Sequence, residues 1–143
     1  PRPYTTKVKS MFRKPFPQVP IIKTGYKTAE MVKYFINNFL SVKVSFANEM
    51  YQICNELNID YDKVTEYALF DQRLGRSHLA VPGPDGDLGY GGHCFPKDID
   101  AMIYLANILG LDPIILESAR KKNDSVRKNR DWEDMKGRAV SEN

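Results

Sequence analysis

Cysteine and histidine are both scarce in this sequence. The 143 residues include two of each, and the two cysteines, Cys54 and Cys94, lie far apart in the chain. No pair or quartet of these residues has the spacing that a structural zinc site requires, so we expect no metal site. A framework of disulfides is excluded by the count, and a single Cys54–Cys94 bridge is not expected.

Long apolar runs are also absent. No stretch reaches the roughly 18 apolar residues that a membrane-spanning helix needs, and no signal-peptide pattern opens the chain. With 42% hydrophobic and 27% charged residues, the composition is that of an ordinary globular domain, and the length suits one domain. We therefore expect a cytoplasmic protein with no membrane partner.

Excess charge of one sign is small, with a formal net charge of +3. Much of it comes from one basic cluster near the end of the chain: Arg120, Lys121, Lys122, Arg127, Lys128 and Arg130. No aromatic residues are interleaved there, so we interpret the cluster as a solvated helix end and expect no nucleic-acid partner. A contact with an anion or a nucleic acid is the alternative.

The order of helix signals predicts an all-α fold built on one long central helix. Prolines in residues 1–27 predict a linker, whereas residues 28–57 contain neither glycine nor proline and predict a helix with Thr28 as its N-cap. Shorter helices are predicted from Asp60 or Asp62 to about residue 71, at 96–110, and from Asp112 and Pro113 to about residue 127. Apolar residues occupy most sides of the long helix, which predicts a homodimer through residues 28–57.

Polar residues interrupt the long helix at intervals of three or four, and so gather on one side of it. This polar seam consists of Lys33, Asn37, Ser41, Ser45, Asn48 and Gln52. Two interpretations are open: hydrogen bonds to neighbouring helices in a wet groove, or a ligand site.

A loop rich in glycine and proline, residues 76–93, leads to Cys94. Loops this long inside a compact domain are usually functional. Cys94 is predicted one or two positions before a helix start, where free N–H groups and nearby Lys97 favour a thiolate and hence a nucleophile. Cys54 is instead predicted to be a small buried apolar residue, and His93 is interpreted as a loop residue. Asp98 fits either an ordinary first-turn acid or a residue that positions a water or a side chain.

Three segments, "AEMVKYFINNFL", "FDQRLG" and "GYGGHCFPKD", occur in the order and spacing of the UDP-glucose/GDP-mannose dehydrogenase family. The chain resembles this family over residues 16–128, and most closely its members that oxidise UDP-glucose. The resemblance implies that residues 28–128 are a central dimerisation and catalytic-cysteine domain. Residues 1–27 would then approach it from an NAD-binding domain, and residues 129–143 would lead to a nucleotide-sugar-binding domain. The chain itself has no Gly-x-Gly-x-x-Gly motif, so we expect no turnover from these 143 residues alone.

The activity that the resemblance implies is an NAD-dependent four-electron oxidation of a sugar C6 alcohol to a carboxylate, through a cysteine thiohemiacetal and thioester. UDP-glucose is the favoured substrate, and GDP-mannose or a UDP-N-acetyl sugar are alternatives. The implied catalytic residues are Cys94, Lys33, Asn37 and Asp98. The implied substrate-binding residues are Lys33, Asn37, Arg73, Leu88, Gly89, Tyr90 and Gly91, with Arg73 reaching a neighbouring subunit's substrate, and Cys94 and Lys97 would border the cofactor.

A second function remains open beside this one. The chain could be a helical dimerisation module that keeps the motif and performs no chemistry, in which case Cys94 is an ordinary thiol. Binding of polyanions by the basic cluster is a third hypothesis, for which steep salt dependence would be diagnostic.

Overall fold

The computed structural model describes residues 2–135, and within them it contains helices and no strand. The helices are α1 (Arg2–Arg13), α2 (Tyr26–Glu56), α3 (Tyr61–Ala68), α4 (Cys94–Ile108), α5 (Ile114–Val126) and a 3₁₀ turn (Asp131–Asp134). The predicted all-α fold with one long helix is confirmed. Of the predicted linker 129–143, the last eight positions, 136–143, lie outside the described residues.

The chain divides into two compact units, Pro1–Met31 and Val32–Asn143. In the first unit the structure corrects one expectation, because α1 occupies a stretch where prolines were expected to prevent any helix. Pro3 lies in the first turn, where a missing N–H costs nothing, and Pro15 and Pro17 follow the end of the helix. The prolines therefore delimit α1 instead of breaking it.

In the second unit, the side of α2 that faces the rest of the chain is its polar side. The buried residues of this helix are Asn38, Ser41, Ser45, Ala47, Asn48 and Cys54. Large apolar side chains of the same helix, Phe35, Ile36, Phe39, Phe46 and Ile53, are instead exposed. An apolar face of this extent is unusual on a free surface and is typical of an interaction site.

The shorter helices begin and end where the sequence predicts, to within a few residues. Asp60 caps α3, because its carboxylate accepts hydrogen bonds from the N–H groups of Asp62 and Lys63. Gly110, with a φ of 70°, follows α4 in the left-handed conformation that ends many helices. Helix α5 starts at Ile114 and packs against α4.

A small core joins α2, α3 and the loop after α3. Its buried members are Ala47, Cys54, Tyr61 and Val81, and the Tyr61 hydroxyl donates to the carbonyl of Leu79 at 2.8 Å. Cys54 is thus a buried apolar residue, as predicted, and both cysteines are free. No local signal predicted the 3₁₀ turn that follows α5, where Trp132 is buried.

Candidate functional site

Asp98 is the centre of a cluster of predicted site residues. Its side chain is 0% exposed. It accepts a hydrogen bond from Asn37 Nδ2 at 2.5 Å and forms an ion pair with Lys33 Nζ at 3.1 Å. Lys97 Nζ contacts the other carboxylate oxygen. The cluster therefore brings two residues of α2 together with two residues of the first turns of α4, although the two pairs lie 60 to 65 positions apart in the chain.

The same contacts determine the charge state of the cluster. Burial alone would raise the pKa of the Asp98 carboxyl, but the hydrogen bonds from Lys97, Asn37 and Lys33 outweigh it and hold that pKa below its ordinary value. In return, the bond to Asp98 raises the pKa of Lys33. Near neutral pH the cluster holds a carboxylate between two ammonium groups.

Asn38 also reaches this cluster, and the sequence did not single it out. This buried residue donates from Nδ2 to the backbone carbonyl of Asp98 at 3.3 Å. A second bond, to the carbonyl of Tyr34, ties it to its own helix. Asn38 thus connects the backbones of α2 and α4 directly behind the cluster of charges.

Cys94 is the first residue of α4, one position closer to the helix than predicted, and its side chain is exposed. It precedes Asp98 by four residues, so the two side chains lie on the same side of α4. The N-cap residue, His93, makes no side-chain cap, which leaves the N–H groups of the first turn unbound by it. A thiolate or an oxyanion at this position would therefore lie at the positive end of the helix.

His93 lies closer to Cys94 than its position as a neighbour in sequence suggested. The sulfur is 3.6 Å from Nε2 and 4.0 Å from Nδ1. Near-equal distances mean that the sulfur lies beside the ring and not in line with one ring nitrogen. This geometry is poor for proton transfer, which agrees with the prediction that His93 is a loop residue.

The polar seam divides into two parts with different partners. Lys33 and Asn37 reach the Asp98 cluster, as described above. The remaining hydrogen bonds join the helix to other elements at 2.6–3.0 Å. Ser45 Oγ donates to the carbonyl of Ala119, Asn48 Oδ1 accepts from the Gly89 N–H, and Gln52 Oε1 accepts from Lys122 Nζ. Hydrogen bonds to neighbouring elements therefore account for Ser45, Asn48 and Gln52, whereas a ligand site at Lys33 and Asn37 stays a prediction.

Side chains already bind most of the amide groups in residues 88–92, the glycine loop. The N–H groups of Leu88, Gly89, Tyr90 and Gly92 donate to Asp87, Asn48, Asn123 and Asp131 respectively. Within the described part of the chain, the Gly91 N–H has no such partner. The sequence predicted that the backbone of residues 88–91 binds a ligand, and the structure leaves Gly91 as the amide donor available for it.

A cavity of about 570 Å³ opens beside the glycine loop. Its walls include Gly89–Gly92, the ring of Phe95, the ring of His78, and the carboxylates of Asp85 and Asp131. Phe95 directly follows Cys94 and stacks its edge on Tyr90, with ring centroids 5.8 Å apart. A volume in this range is typical of small-molecule sites, so the cavity is large enough for a sugar and part of a nucleotide.

Arg73 lies elsewhere on the chain. It is exposed, its guanidinium binds Asp71, and it lines a second, apolar cavity of about 480 Å³ together with Phe39 and Phe46. The turn that carries Arg73 is attached to α2 by Lys43, whose Nζ donates to the carbonyls of Leu74 and Gly75. Arg73 thus lies beside exposed apolar residues of α2, and its described contacts include neither the Asp98 cluster nor the glycine loop.

The basic cluster is not a uniformly solvated helix end, which corrects the interpretation of its charge. Arg127 is buried and bound to carboxylates, and Arg120 forms ion pairs with Asp100 and Asp124. Lys121, Lys128 and Arg130 do remain exposed. Asp85, Asp87 and Asp100 lie on other elements, so their pairing depends on the fold, whereas Asp124 lies four positions after Arg120 on α5.

Among residues 2–135, no group of three or more His, Cys, Asp and Glu side chains is arranged to hold a metal ion. None of the helices there combines the length and the apolar character needed to cross a membrane.

Comparison with known proteins gives consistent matches. The family model described as "UDP-glucose/GDP-mannose dehydrogenase family, central domain" matches residues 27–125. UDP-glucose 6-dehydrogenase AglM of Haloferax volcanii is 41% identical over 105 residues, covering 73% of this chain and 23% of that protein. UDP-glucose 6-dehydrogenase TuaD of Bacillus subtilis is 37% identical over 108 residues, covering 76% and 22%.

A solved structure of a UDP-glucose dehydrogenase from Pyrobaculum islandicum is similar as well, with a TM-score of 0.69 and 34% identity. The similarity covers 84% of this chain and 27% of that one. The chain thus spans about a quarter of the length of the relatives it matches.

Proposed function

From the premise that this chain belongs to the UDP-glucose/GDP-mannose dehydrogenase family, we propose that residues 28–128 are the catalytic-cysteine domain of an enzyme that oxidises UDP-glucose at C6. Residues 1–27 and 129–143 would connect it to an NAD-binding and a nucleotide-sugar-binding domain. The observation that carries the proposal is the convergence of Lys33, Asn37 and Asp98 one helical turn from an exposed cysteine.

The fit of NAD to this chain is partial. Cys94 is exposed and Lys97 is partly exposed at the start of α4, so both could border a nicotinamide ring, but no strand and no dinucleotide-binding turn occur among residues 2–135. Bound NAD would accept the hydrides, so that one alcohol, one water and two NAD⁺ give a carboxylate, two NADH and three protons.

Cys94 supplies the nucleophile in this proposal. Its thiolate adds to the C6 aldehyde, forming an S–C bond while the carbonyl π electrons move to oxygen, and protonation of that oxygen gives a thiohemiacetal. Oxidation of this adduct at C6 leaves a thioester on the same sulfur. Water then adds to the thioester carbon, the C–S bond breaks, and the sulfur departs as a thiolate ready for the next turnover.

Lys33 and Asn37 stabilise the oxygen that becomes negative in these steps. Both present N–H donors on one side of α2, and Asp98 holds them in place before substrate arrives, which spares their reorganisation during the reaction. Lys33 is 58% exposed, so its ammonium remains accessible to a ligand while paired. Asp98 acts chiefly by orienting these donors and by orienting the hydrolytic water.

A homodimer through α2 completes the proposal. The exposed apolar face of this helix and the cavity lined by Phe39 and Phe46 supply a surface for a second copy. Arg73 lies at the rim of that surface, so dimerisation would carry its guanidinium to the substrate of the partner. A guanidinium suits this role because its planar donors can bind two oxygens of a phosphate or a sugar.

The test is NADH formation, followed by absorbance, with UDP-glucose, GDP-mannose and UDP-N-acetylglucosamine as separate substrates for the protein as its own gene encodes it. We expect two NADH per UDP-glucose, and loss of turnover by at least about a thousandfold in Cys94→Ala. Cys54→Ala is the matched control and should retain activity. Turnover by Cys94→Ala equal to the parent would refute the cysteine mechanism.

A companion measurement distinguishes an enzyme from a non-catalytic dimerisation module. Alkylation at Cys94 and Cys54 is read separately by mass spectrometry, with and without UDP-glucose. We expect Cys94 to react faster and to be protected by the sugar nucleotide. A dimer with no turnover on any of the three substrates, in which no ligand protects Cys94, would identify a dimerisation module.

A further inference from the structure

Arg127 is the most deeply buried cation for which the structure gives ion pairs, with a side chain that is 1% exposed. It directly follows α5, and its Nη2 lies 2.7 Å from a carboxylate oxygen of Asp85. Asp87 and Asp131 place further carboxylate oxygens 3.6 and 3.8 Å from its nitrogens. A guanidinium this buried needs such partners, because leaving it unpaired would be strongly destabilising.

These partners attach the glycine loop to the segment that follows α5. Arg127 Nη1 donates to the carbonyl of Leu88, and Asp131 accepts from the Gly92 N–H at 3.0 Å. The Asp87 carboxylate in turn accepts from the N–H groups of Lys128 and Asn129. Contacts thus run in both directions between the loop and residues 127–131.

Gly91 shows how closely the guanidinium approaches this loop. A Cβ built at Gly91 would lie 2.8 Å from Arg127 Cζ and 2.6 Å from a carboxylate oxygen of Asp131, which is closer than any real side chain tolerates. A side chain at this position would have to displace the Arg127 guanidinium and the Asp131 carboxylate, so glycine allows Arg127 to pack directly against the backbone. That backbone carries the one amide in the loop that remains available to a ligand.

One turn earlier on α5, Asn123 fastens the loop at a second point. Its Oδ1 accepts from the Tyr90 N–H at 2.7 Å, and its Nδ2 donates to the Tyr90 carbonyl at 3.1 Å. A loop with glycine at three of its five positions would otherwise sample many conformations, at a large entropic cost to any ligand that orders it. Hydrogen bonds from α5 and the segment after it replace the regular structure that the loop lacks.

We propose that Arg127, acting through Asp85 and Asp131, is a positioning residue that sets the glycine loop for the nucleotide sugar, and that Asp131 forms part of a wall of its site. The inference rests on the proposed function for the identity of the ligand. Its geometric part does not, since Asp131 lines the 570 Å³ cavity in the structure itself.

The test uses the protein as its own gene encodes it, with three variants. Arg127→Met removes the guanidinium, and Arg127→Lys keeps the charge without the planar donors. Asp131→Ala is a milder change near the surface and replaces Arg127→Met if that variant fails to fold. It still removes the acceptor of the Gly92 N–H. Arg130→Met is the matched control, because Arg130 is 41% exposed and its ion pairs, with Glu133 and Asp124, do not involve the glycine loop.

Two measurements are made on each variant: hydrogen exchange of the amides at 88–92, and the KM values for UDP-glucose and for NAD. We expect Asp131→Ala and Arg127→Met to speed loop exchange and to raise the KM for UDP-glucose by about tenfold, with the KM for NAD unchanged. Arg127→Lys should recover part of this loss, and Arg130→Met should match the parent. A merely structural role would lower the active fraction, and therefore kcat, without changing either KM.

Outcomes that overturn the inference are specific. Loop exchange in Asp131→Ala and Arg127→Met equal to that of Arg130→Met would show that the ion pairs do not hold the loop. Faster exchange with an unchanged KM for UDP-glucose would show that the loop does not position the ligand. If the parent oxidises no nucleotide sugar, the proposed function fails, and protection of the loop amides decides the positioning role alone.

Discussion

Replacing Asp98 by asparagine removes one charge from the centre of the cluster while keeping its shape. The amide keeps one acceptor oxygen but turns an NH₂ group towards neighbours that are themselves donors, Lys33, Asn37 and Lys97. At least one of the three contacts is therefore lost, and the other two become weaker. We expect a less stable protein whose Lys33 and Asn37 are no longer held together.

The magnitude follows from the exposure of each donor. The bond from Asn37 to a buried carboxylate is worth about 1–2 kcal/mol, whereas Lys33 and Lys97, which are 58% and 33% exposed, contribute at most about 1 kcal/mol each. Burying an amide costs less free energy than burying a carboxylate, so this difference offsets about 1 kcal/mol of the loss. The net expectation is a loss of about 2 kcal/mol in the free energy of unfolding, or about 7 °C in Tm.

The dependence on pH gives this prediction a second test. The folded-state pKa of Asp98 lies below 3.8, the ordinary value that applies in the unfolded chain. A group with a depressed pKa stabilises the fold above its unfolded pKa, and this stabilisation is lost as the pH falls through the folded one. The advantage of the parent over Asp98→Asn should therefore be constant from about pH 5 to pH 7 and should shrink below pH 3.8.

The assay is urea unfolding at pH 7 and pH 3, followed by the fluorescence of Trp132, the one tryptophan of the chain. Asp100→Asn is the matched control: it removes an acidic group two residues away that is 49% exposed and paired with Arg120, and should cost under about 0.5 kcal/mol. Equal stability of Asp98→Asn and Asp100→Asn at pH 7 would refute the reasoning. So would a difference between parent and Asp98→Asn that grows as the pH falls.

Three further predictions concern other parts of the fold. Gly89→Ala should destabilise the fold by at least about 2 kcal/mol more than Gly86→Ala. Both glycines have positive φ, but only a Cβ at Gly89 would overlap a side chain of α5, so equal Tm values for the two variants would contradict this. Phe46→Glu should convert a dimer into a monomer in light scattering while Phe70→Glu, which changes an exposed phenylalanine outside α2, does not; a dimer that survives Phe46→Glu would argue against that surface. Burial raises the pKa of Tyr61 to about 12, so the parent should lose stability relative to Tyr61→Phe as the pH rises from 10 to 12. A stability difference between the two proteins that stays constant over that range would disprove the shift.

The sequence predicted the helices well because their signals are local. The long glycine- and proline-free stretch, the Asp60 cap and Gly110 each act within a turn of the residue concerned. Helix α1 is the exception, because proline breaks a helix in its interior but is tolerated in the first turn. The 3₁₀ turn after α5 carried no signal of its own.

The candidate site was predictable in its residues and less so in its contacts. Lys33, Asn37 and Asp98 were identified by their motifs, and the structure brings them together, while their catalytic roles remain predictions. Asn123 and Arg127 were not identified, because each looks like an ordinary polar residue at the end of a helix. Their importance arises from pairing with residues about 30 to 40 positions away, which no local pattern encodes.

Helix α2 fixes several elements by one or two bonds each: α4 at Asn37, the turn after α3 at Lys43, α5 at Ser45 and the glycine loop at Asn48. One residue inserted between Lys33 and Asn48 would rotate everything beyond it by about 100° and detach several of these contacts together. Point substitutions along the helix remove one contact at a time. Over geological time, this helix should therefore tolerate substitutions more readily than insertions or deletions, and libraries for directed evolution should vary its residues but never their number.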